Sequence, residues 1–468
     1  MAFMTWDEIR AATGGRLLLG KMRGNDAFAG ITTDTRKVQA GDLFVALRGE
    51  KFDGADFAAG ALRAGAVAVM LPEPVSDAHR KELDRMSGAV IGVPDTLAAY
   101  QQIAHAWRMK FNIPVVAVTG SNGKTTTKEL TAAALSGRGA VCRTAANYNN
   151  EIGLPLTLLG MTGEDTAAVV EMGMRGRGQI AALAAIAAPT VGIVTNVGET
   201  HMELLGSIEN IARAKAELVA AIAPGGTVIL NADDARVAAM RAQAADGVRI
   251  LTYGIRAEAD IRAQALRSAC NETRFMVTNG GERHDYAVPL LGRHNVYNAL
   301  AALAAGFALG LSPQEMQAGL ARLAPPKMRY EVHHVGAWTF INDAYNASPA
   351  SMRAALETTA RLYPGRRIAV LGDMLELGAA SAEGHRSVGR TAATEGFAVV
   401  ITYGNEARRI YEAAAAAGCL CRHAATHEEA ANLLRGMLAD GDTVLFKGSR
   451  GMRMEHIMEL AAGEGAKH

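Results

Sequence analysis

The run Val-Val-Ala-Val-Thr-Gly-Ser-Asn-Gly-Lys-Thr-Thr-Thr at 115–127 constrains this chain more than any other stretch. Residues 115–118 are mostly β-branched and predict a short buried parallel strand. Gly120, Ser121, Asn122 and Gly123 must then turn tightly, and 124–135 fit a helix. Such a loop directs backbone N–H groups inward, and the helix N-terminus adds partial positive charge, so the two together cradle a polyphosphate. Lys124 would stand as a point charge between the β- and γ-phosphates. The Thr125 hydroxyl, followed by Thr126, is placed to hold Mg²⁺. Phosphate loops usually have four residues between their glycines, whereas only Ser121 and Asn122 stand between Gly120 and Gly123 here. A plain glycine turn would explain the loop alone, but not strand, loop, Lys-Thr pair and helix in succession. The run reads as a nucleoside triphosphate site.

A chain of 468 residues leaves room for about three domains of ~150 residues. Hydrophobic residues make up 49% and charged residues 20%, enough to bury several cores. The net charge of +1 gives no reason to expect nucleic acid or a membrane surface as partner. Of Cys142, Cys270, Cys419 and Cys421 only the last two are close in sequence. One C-x-C pair without a second reads as reduced thiols in a cytosolic protein. The first residues lack a basic segment followed by an apolar one, so no signal peptide is expected. The most apolar stretches, 180–197 and 299–311, are broken by Pro189 or too short to span a bilayer. A cytoplasmic location and no membrane insertion are the expectation.

Along the chain, residues 1–95 predict a small α/β unit. It has a capped helix at 5–13, strands at 42–47 and 66–70, and a crossover helix at 55–64. Thr32, Thr33, Asp34, Thr35 and Arg36 lie in a turn-rich context. Thr35 and Arg36 could bind a phosphorylated sugar or nucleotide, although an Asx-type turn with a solvated arginine is the commoner origin of such a run.

Residues 96–313 repeat strand, loop and helix. Strands at 167–171, 191–196 and 227–231 each end in polar residues, and ligands bind outside the carboxyl ends of parallel strands. Glu171, Asn196 and His201 can therefore converge on the phosphate loop. Glu171 and His201 are candidates to complete Mg²⁺ coordination with Thr125, the histidine suggesting a second ion. The polar run 147–155, with Asn147, Asn150 and Glu151, suits a polyhydroxylated or amide-bearing substrate. Lys215, alone on a helix at 208–222, reads as a solvated surface group. Asn295 and Asn298, one helical turn apart, could face one ligand.

Residues 314–468 predict a Rossmann-like unit with strands at 338–342, 367–371, 398–402 and 442–446. It lacks a Gly-x-Gly-x-x-Gly dinucleotide signature. Asp343 at a strand end could take ribose hydroxyls, while Lys447 and Arg450 could take an anionic carboxylate. The whole is an α/β protein of three domains: a small α/β N-terminal domain, a central phosphate-loop ATPase domain on a parallel sheet, and a Rossmann-like C-terminal domain.

Taken together, Thr33-Asp34-Thr35-Arg36, 119–126, 147–155, Glu171-Met172-Gly173, His201, Ala214-Lys215-Ala216-Glu217, Gly292-Arg293-His294-Asn295, 342–346 and Lys447-Gly448-Ser449-Arg450 resemble the Mur ligases, the amide ligases of peptidoglycan precursor synthesis. The resemblance spans essentially the full length, and the family uses the same short phosphate loop. It implies an ATP- and Mg²⁺-dependent reaction through an acyl phosphate. Lys124 would hold the phosphates, Thr125 and Glu171 would serve magnesium, and His201 would be ligand to a second ion. Lys215 matches a lysine that several members carry as a carbamate, which turns a cation into a further carboxylate and revises the surface reading. Asn295, Arg329 and Asp343 look like nucleotide contacts, with Arg329 closing over the γ-phosphate. The N-terminal unit would take the UDP end of the substrate, with 147–155 along it. The ending at 447–450 suits the members that take UDP-MurNAc-tripeptide and D-alanyl-D-alanine; a monomer is expected. The alternative is a related ligase that adds a diamino acid, or one that extends folate with glutamate. A nucleotide-gated scaffold would not need Glu171, His201 and Lys215 beside the phosphate loop.

Overall fold

The computed structural model describes residues 3–49, 51–200, 202–269 and 272–463. Two compact units emerge. The first comprises Met1–Ile113, Thr144–Asp165 and Ala182–Ala188. Its five-stranded sheet runs Arg16–Leu19, Ala89–Val93, Ala68–Pro72, Leu43–Val45 and Ile31–Thr32, parallel except for the first pair. Thr5 caps the helix Trp6–Thr13 in a reciprocal box with Glu8, which satisfies two otherwise orphaned amides. The helix Thr96–Arg108 packs Ala99, Tyr100, Ile103 and Trp107 onto the core formed by Phe3, Trp6, Ile9, Phe28 and the sheet. It is anchored by polar contacts as well. The Trp107 indole donates to Met161 O at 3.1 Å, and buried Arg108 donates to the carbonyls of Ala187 and Phe111 at 3.1 and 2.8 Å.

The second unit comprises Pro114–Arg143, Thr166–Ala181 and Pro189–His468, and it holds two sheets. The larger has nine strands in the order Glu282–Val288, Glu272–Asn279, Ile261–Ala269, Arg249–Gly254, Thr227–Asn231, Val191–Val194, Val115–Thr119, Asp165–Glu171 and Ala140–Arg143. Val115–Thr119 lies between parallel neighbours and is buried throughout, as its near-continuous apolar sequence requires. The helices Lys124–Leu135, Arg293–Ala308 and Pro313–Leu320 cover one face. Small residues let them approach closely: a Cβ on Gly319 would stand 1.9 Å from Ala133 O. The three strands from 261 to 288 form an antiparallel meander that the sequence reading does not anticipate.

The smaller sheet has six strands in the order Glu331–Val335, Trp338–Asn342, Thr443–Lys447, Arg367–Gly372, Val399–Tyr403 and Leu420–Ala424. All but the first pair are parallel. The α/β class and the Rossmann-like character of the last part stand as the strand-and-helix rhythm predicts. Among the described residues no helix is long and apolar enough to cross a membrane.

Candidate active site

The strand Val115–Thr119 delivers the chain into the loop 120–123, and the helix Lys124–Leu135 leaves it. Gly120 and Gly123 adopt φ of +149° and +81°. A Cβ at Gly120 would lie 1.8 Å from Thr195 Oγ1, and one at Gly123 2.4 Å from Asn298 Oδ1. Both conformation and space therefore require glycine. The loop is fixed from the next strand over. The Asn196 carboxamide accepts from Asn122 N–H at 2.9 Å and donates to Asn122 O at 3.0 Å. Thr195 Oγ1 also donates to Asn122 O at 2.7 Å, and Ser121 N–H donates to Asn196 O at 2.9 Å. Ser121 Oγ accepts from Gly198 N–H at 2.8 Å. The amides of Ser121 and Asn122 are thus tied to the chain. No side chain caps the following helix, so its first N–H groups and its positive dipole end face the loop.

Register sets Glu171 beside Val118, one residue before the strand enters the loop region. The carboxylate is buried at 2% exposure. Lys124 Nζ donates to Gly120 O at 2.8 Å and is partly withdrawn from solvent. Burial pushes its pKa below the ordinary lysine value, the Glu171 charge pulls it up, and the Arg329 charge pushes it down further.

Lys215 corrects the surface reading. It is 1% exposed on the helix Ile208–Ala221, and burial drives its pKa well below that of an ordinary lysine, with the Lys124 charge adding to the effect. The reason is visible in the helix itself: Ile211, Leu218 and Val219 lie three or four residues from Lys215 and are all buried. A lysine in the apolar stripe of an amphipathic helix is carried inside with it.

Arg329 reaches this loop from the edge of the six-stranded sheet. Its Nη2 donates to Thr125 Oγ1 at 3.0 Å, and its guanidinium lies 4.3 Å from the Tyr345 ring centroid. Met328 and Tyr330 on either side have φ of +56° and +54°. For non-glycine residues this costs on the order of 1–3 kcal/mol each, and it persists only where the surroundings over-determine it. Ser348, the N-cap of the helix Pro349–Leu362, adds a second contact by donating to Asn122 Oδ1 at 2.9 Å.

The remaining expected residues have definite partners. Asp343 pairs with buried Lys447 at 2.7 Å and accepts from Tyr330 N–H at 3.2 Å. Lys447 also donates to Asn346 O and Asp343 O. Arg450 pairs with Glu455 at 2.7 Å, so the two cations of 447–450 have separate carboxylate partners. Asn295 donates to Leu291 O at 2.8 Å and accepts from Asn298 at 3.0 Å. Asn298 in turn accepts from Thr127 Oγ1, bracing the phosphate-loop helix. In the first unit, Arg36 pairs side-on with Asp34 through two 2.8 Å bonds beside Thr35 and holds that carboxyl down to about 2. Asp34 also accepts from Arg36 N–H, making the Asx-type turn that the sequence allows. Asn150 accepts from Gly153 N–H at 2.8 Å ahead of the helix Gly153–Leu159, with exposed Asn147 and Glu151 nearby in sequence. His201 lies outside the described residues. The sequence reading misses Tyr345 and Ser348, and it names Asn196 without its clamping part.

For magnesium the chain offers Thr125 Oγ1 and the Glu171 carboxylate. Among the described residues no group of three or more His, Cys, Asp or Glu side chains could hold a metal. A sparse set of hard oxygens suits an ion that keeps waters and shares phosphate oxygens, so the residues fit.

Uncapped helix, clamped loop and the cations Lys124 and Arg329 make a site suited to a polyphosphate. Sequence models agree, matching the Mur ligase family catalytic domain at 27–108, the Mur ligase middle domain at 118–306 and the Mur ligase glutamate ligase domain at 328–450. The chain belongs to the Mur ligase family. Among its relatives is the UDP-N-acetylmuramoyl-tripeptide--D-alanyl-D-alanine ligase of Bacillus subtilis, 38% identical over 92% of each chain. The enzyme of the same name from Escherichia coli is 35% identical over 96% of this chain and 97% of its own. A MurF structure from Acinetobacter baumannii superposes with a TM-score of 0.90 at 30% identity, covering 99% of this chain and 100% of its own. The MurF ligase of Thermotoga maritima, solved in complex with ADP, gives 0.82 at 28% identity over 93% and 97%.

His294 provides a pH test of how this region is packed. Burial, with the Lys447 and Arg361 charges, pushes its pKa down from 6.5 to about 4 against the pull of Asp343. The unfolded chain takes up this proton near pH 6.5 and the folded chain only near 4. The histidine's contribution is therefore complete above pH 6.5 and drains away as pH falls towards 4. Thermal melts over that window should fall more steeply for the wild type than for His294→Gln; parallel curves would count against a neutral histidine at this half-buried position.

Proposed function

We propose that this chain is an ATP-dependent amide ligase that joins D-alanyl-D-alanine to UDP-N-acetylmuramoyl-tripeptide, releasing ADP and phosphate, in peptidoglycan precursor synthesis. The observation that carries the reading is the gathering of Lys124 and Arg329 around an uncapped helix N-terminus, with the buried carboxylate Glu171 answering only part of their charge. A polyphosphate balances the remaining positive charge and the helix dipole. The names of the full-length relatives supply the substrate pair. Both substrates are small molecules, and the protein works as a monomer.

In this reading residues 1–95, with Thr35 and Arg36, receive the UDP end of the substrate, and Asn147, Asn150 and Glu151 lie along it. Residues 96–313 bind ATP through 120–126. Residues 314–468 bring Arg329, Asp343 and Asn295 to the nucleotide and accept the dipeptide near Lys447 and Arg450. A carboxylate is unreactive towards an amine, so its oxygen first takes the γ-phosphoryl group. Lys124 and Arg329 hold the transferring group and offset its charge. The Thr125 hydroxyl and Glu171, with His201, would hold magnesium, which when bound supplies further charge neutralisation to the phosphoryl oxygens. The neutral amine of D-alanyl-D-alanine then attacks the acyl phosphate and phosphate leaves. The contacts of Arg329 and Ser348 with the phosphate loop close the site from the C-terminal side and keep water from the acyl phosphate.

Lys215 is read as carbamylated. Only the free amine adds CO₂, and burial beside Lys124 favours the free amine. The nitrogen bonds the CO₂ carbon and releases one proton to solvent, and the resulting carbamate would offer hard anionic oxygens to magnesium.

Phosphate release with UDP-MurNAc-tripeptide and a panel of acceptors should depend on D-alanyl-D-alanine; dependence on glutamate or diaminopimelate instead would reassign the acceptor. Lys124→Ala should lower turnover roughly 10³-fold or more without loss of fold, and near-normal turnover would remove the loop from the mechanism. Lys215→Ala should be nearly inactive and partly restored by formate or acetate. Full activity without either acid would end the carbamate reading.

A further inference from the structure

Arg329 sits in an unfavourable place for a cation. The Lys124 charge acts against it across the phosphate loop, and among the described residues no carboxylate pairs with it. Its backbone is bent through two left-handed non-glycine residues, Met328 and Tyr330. What meets the guanidinium is the ring of Tyr345, 4.3 Å from centroid to Cζ. The two are built as one piece. Tyr345 N–H donates to Met328 O at 3.1 Å, so the residue that supplies the ring also ties down the turn that carries the arginine. On the other side, Tyr330 N–H donates to Asp343, which Lys447 holds at 2.7 Å, and the Tyr330 hydroxyl meets Thr359 Oγ1 at 2.8 Å.

A ring differs from a carboxylate as a partner in one way that bears on the reaction. A carboxylate would take the N–H edge of the guanidinium and cancel its charge, whereas an aromatic ring attracts the flat face and leaves edge and charge intact. We propose that Tyr345 is a positioning residue that holds Arg329 by its face, so that the N–H edge stays turned to the terminal phosphate of the bound nucleoside triphosphate. The proposal rests on the part given to Arg329 above.

The test measures ATP and ADP affinities of the full-length protein, in magnesium, for wild type, Tyr345→Phe, Tyr345→Leu, Arg329→Ala and the Tyr345→Leu/Arg329→Ala double variant. Tyr345→Leu should weaken ATP roughly 3- to 30-fold, the range a cation–π contact spans, and leave ADP nearly unchanged. Tyr345→Phe, which keeps the ring, should match the wild type. In the Arg329→Ala background the leucine should add nothing. A leucine loss of equal size in both backgrounds would make the tyrosine merely structural, and wild-type ATP affinity in Tyr345→Leu would overturn the proposal outright. If Arg329→Ala itself leaves the preference for ATP over ADP intact, the role of Arg329 fails first. If it abolishes that preference while Tyr345→Leu does not, the tyrosine proposal alone fails.

Discussion

The carboxamide of Asn196 grips the main chain of Asn122 from both sides, accepting from its N–H and donating to its carbonyl. Much of the active-site end follows from this clamp. It fixes the short loop to the strand end at Val191–Val194, with Thr195 and Gly198 adding bonds to the same segment. Each such bond nets only about 0.5–1.5 kcal/mol, but an unmatched buried partner costs about 1–3 kcal/mol, so the set holds or fails together. With the amides of Ser121 and Asn122 tied to the chain, an anion is directed to the helix N-terminus and to Lys124. The same clamp holds Asn122 where its side chain meets Ser348. A loop of two residues between glycines thus owes its stiffness to a neighbouring strand rather than to its own length.

Charge is then collected at a place that cannot neutralise it. Lys124 and Arg329 repel each other, Lys215 is buried within reach of the Lys124 field, and Glu171 answers part of this. The fold bears the cost through burial and through local backbone strain at Met328 and Tyr330. Such strain and shifted ionisation are characteristic of sites where a ligand completes the electrostatics. Arg329 and Ser348 come from the segment that carries the six-stranded sheet, so their bonds to Thr125 and Asn122 join the two sheets of the second unit at this loop.

The strand, turn and helix around 120–123 are legible in the sequence, because glycines, Lys-Thr and helix obey local rules; that the Ser121 and Asn122 amides are taken by Asn196 is not. Four of the six strands of the last sheet are legible too, through their apolar runs; Glu331–Val335 and Leu420–Ala424 are not, because His333, His334, Arg422 and His423 interrupt the pattern. The meander at 261–288 is hard to read although Asn279, Gly280 and Gly281 signal a hairpin; its strands have one wet face, and their polar residues dilute the pattern. Residue type alone points Lys215 to the surface, since a lysine is usually solvated, while its apolar neighbours at 211, 218 and 219 carry it inside. Asn295, Asp343 and Lys447 were legible as polar residues at strand and helix ends, but not the bonds they make to the chain. Tyr345 and Ser348 could not be found, because their significance lies in contacts across about 16 and 226 residues of sequence.

The central claim is that the substrate carboxylate, and not water, receives the phosphoryl group. It is tested most directly by labelling the terminal carboxylate of UDP-MurNAc-tripeptide with ¹⁸O and running a complete turnover with ATP and D-alanyl-D-alanine. If an acyl phosphate forms, the bridging oxygen leaves with the phosphate, and mass spectrometry should find one ¹⁸O in each phosphate released from fully labelled substrate. Phosphate that carries only solvent oxygen would mean that water was the acceptor, and would contradict the account.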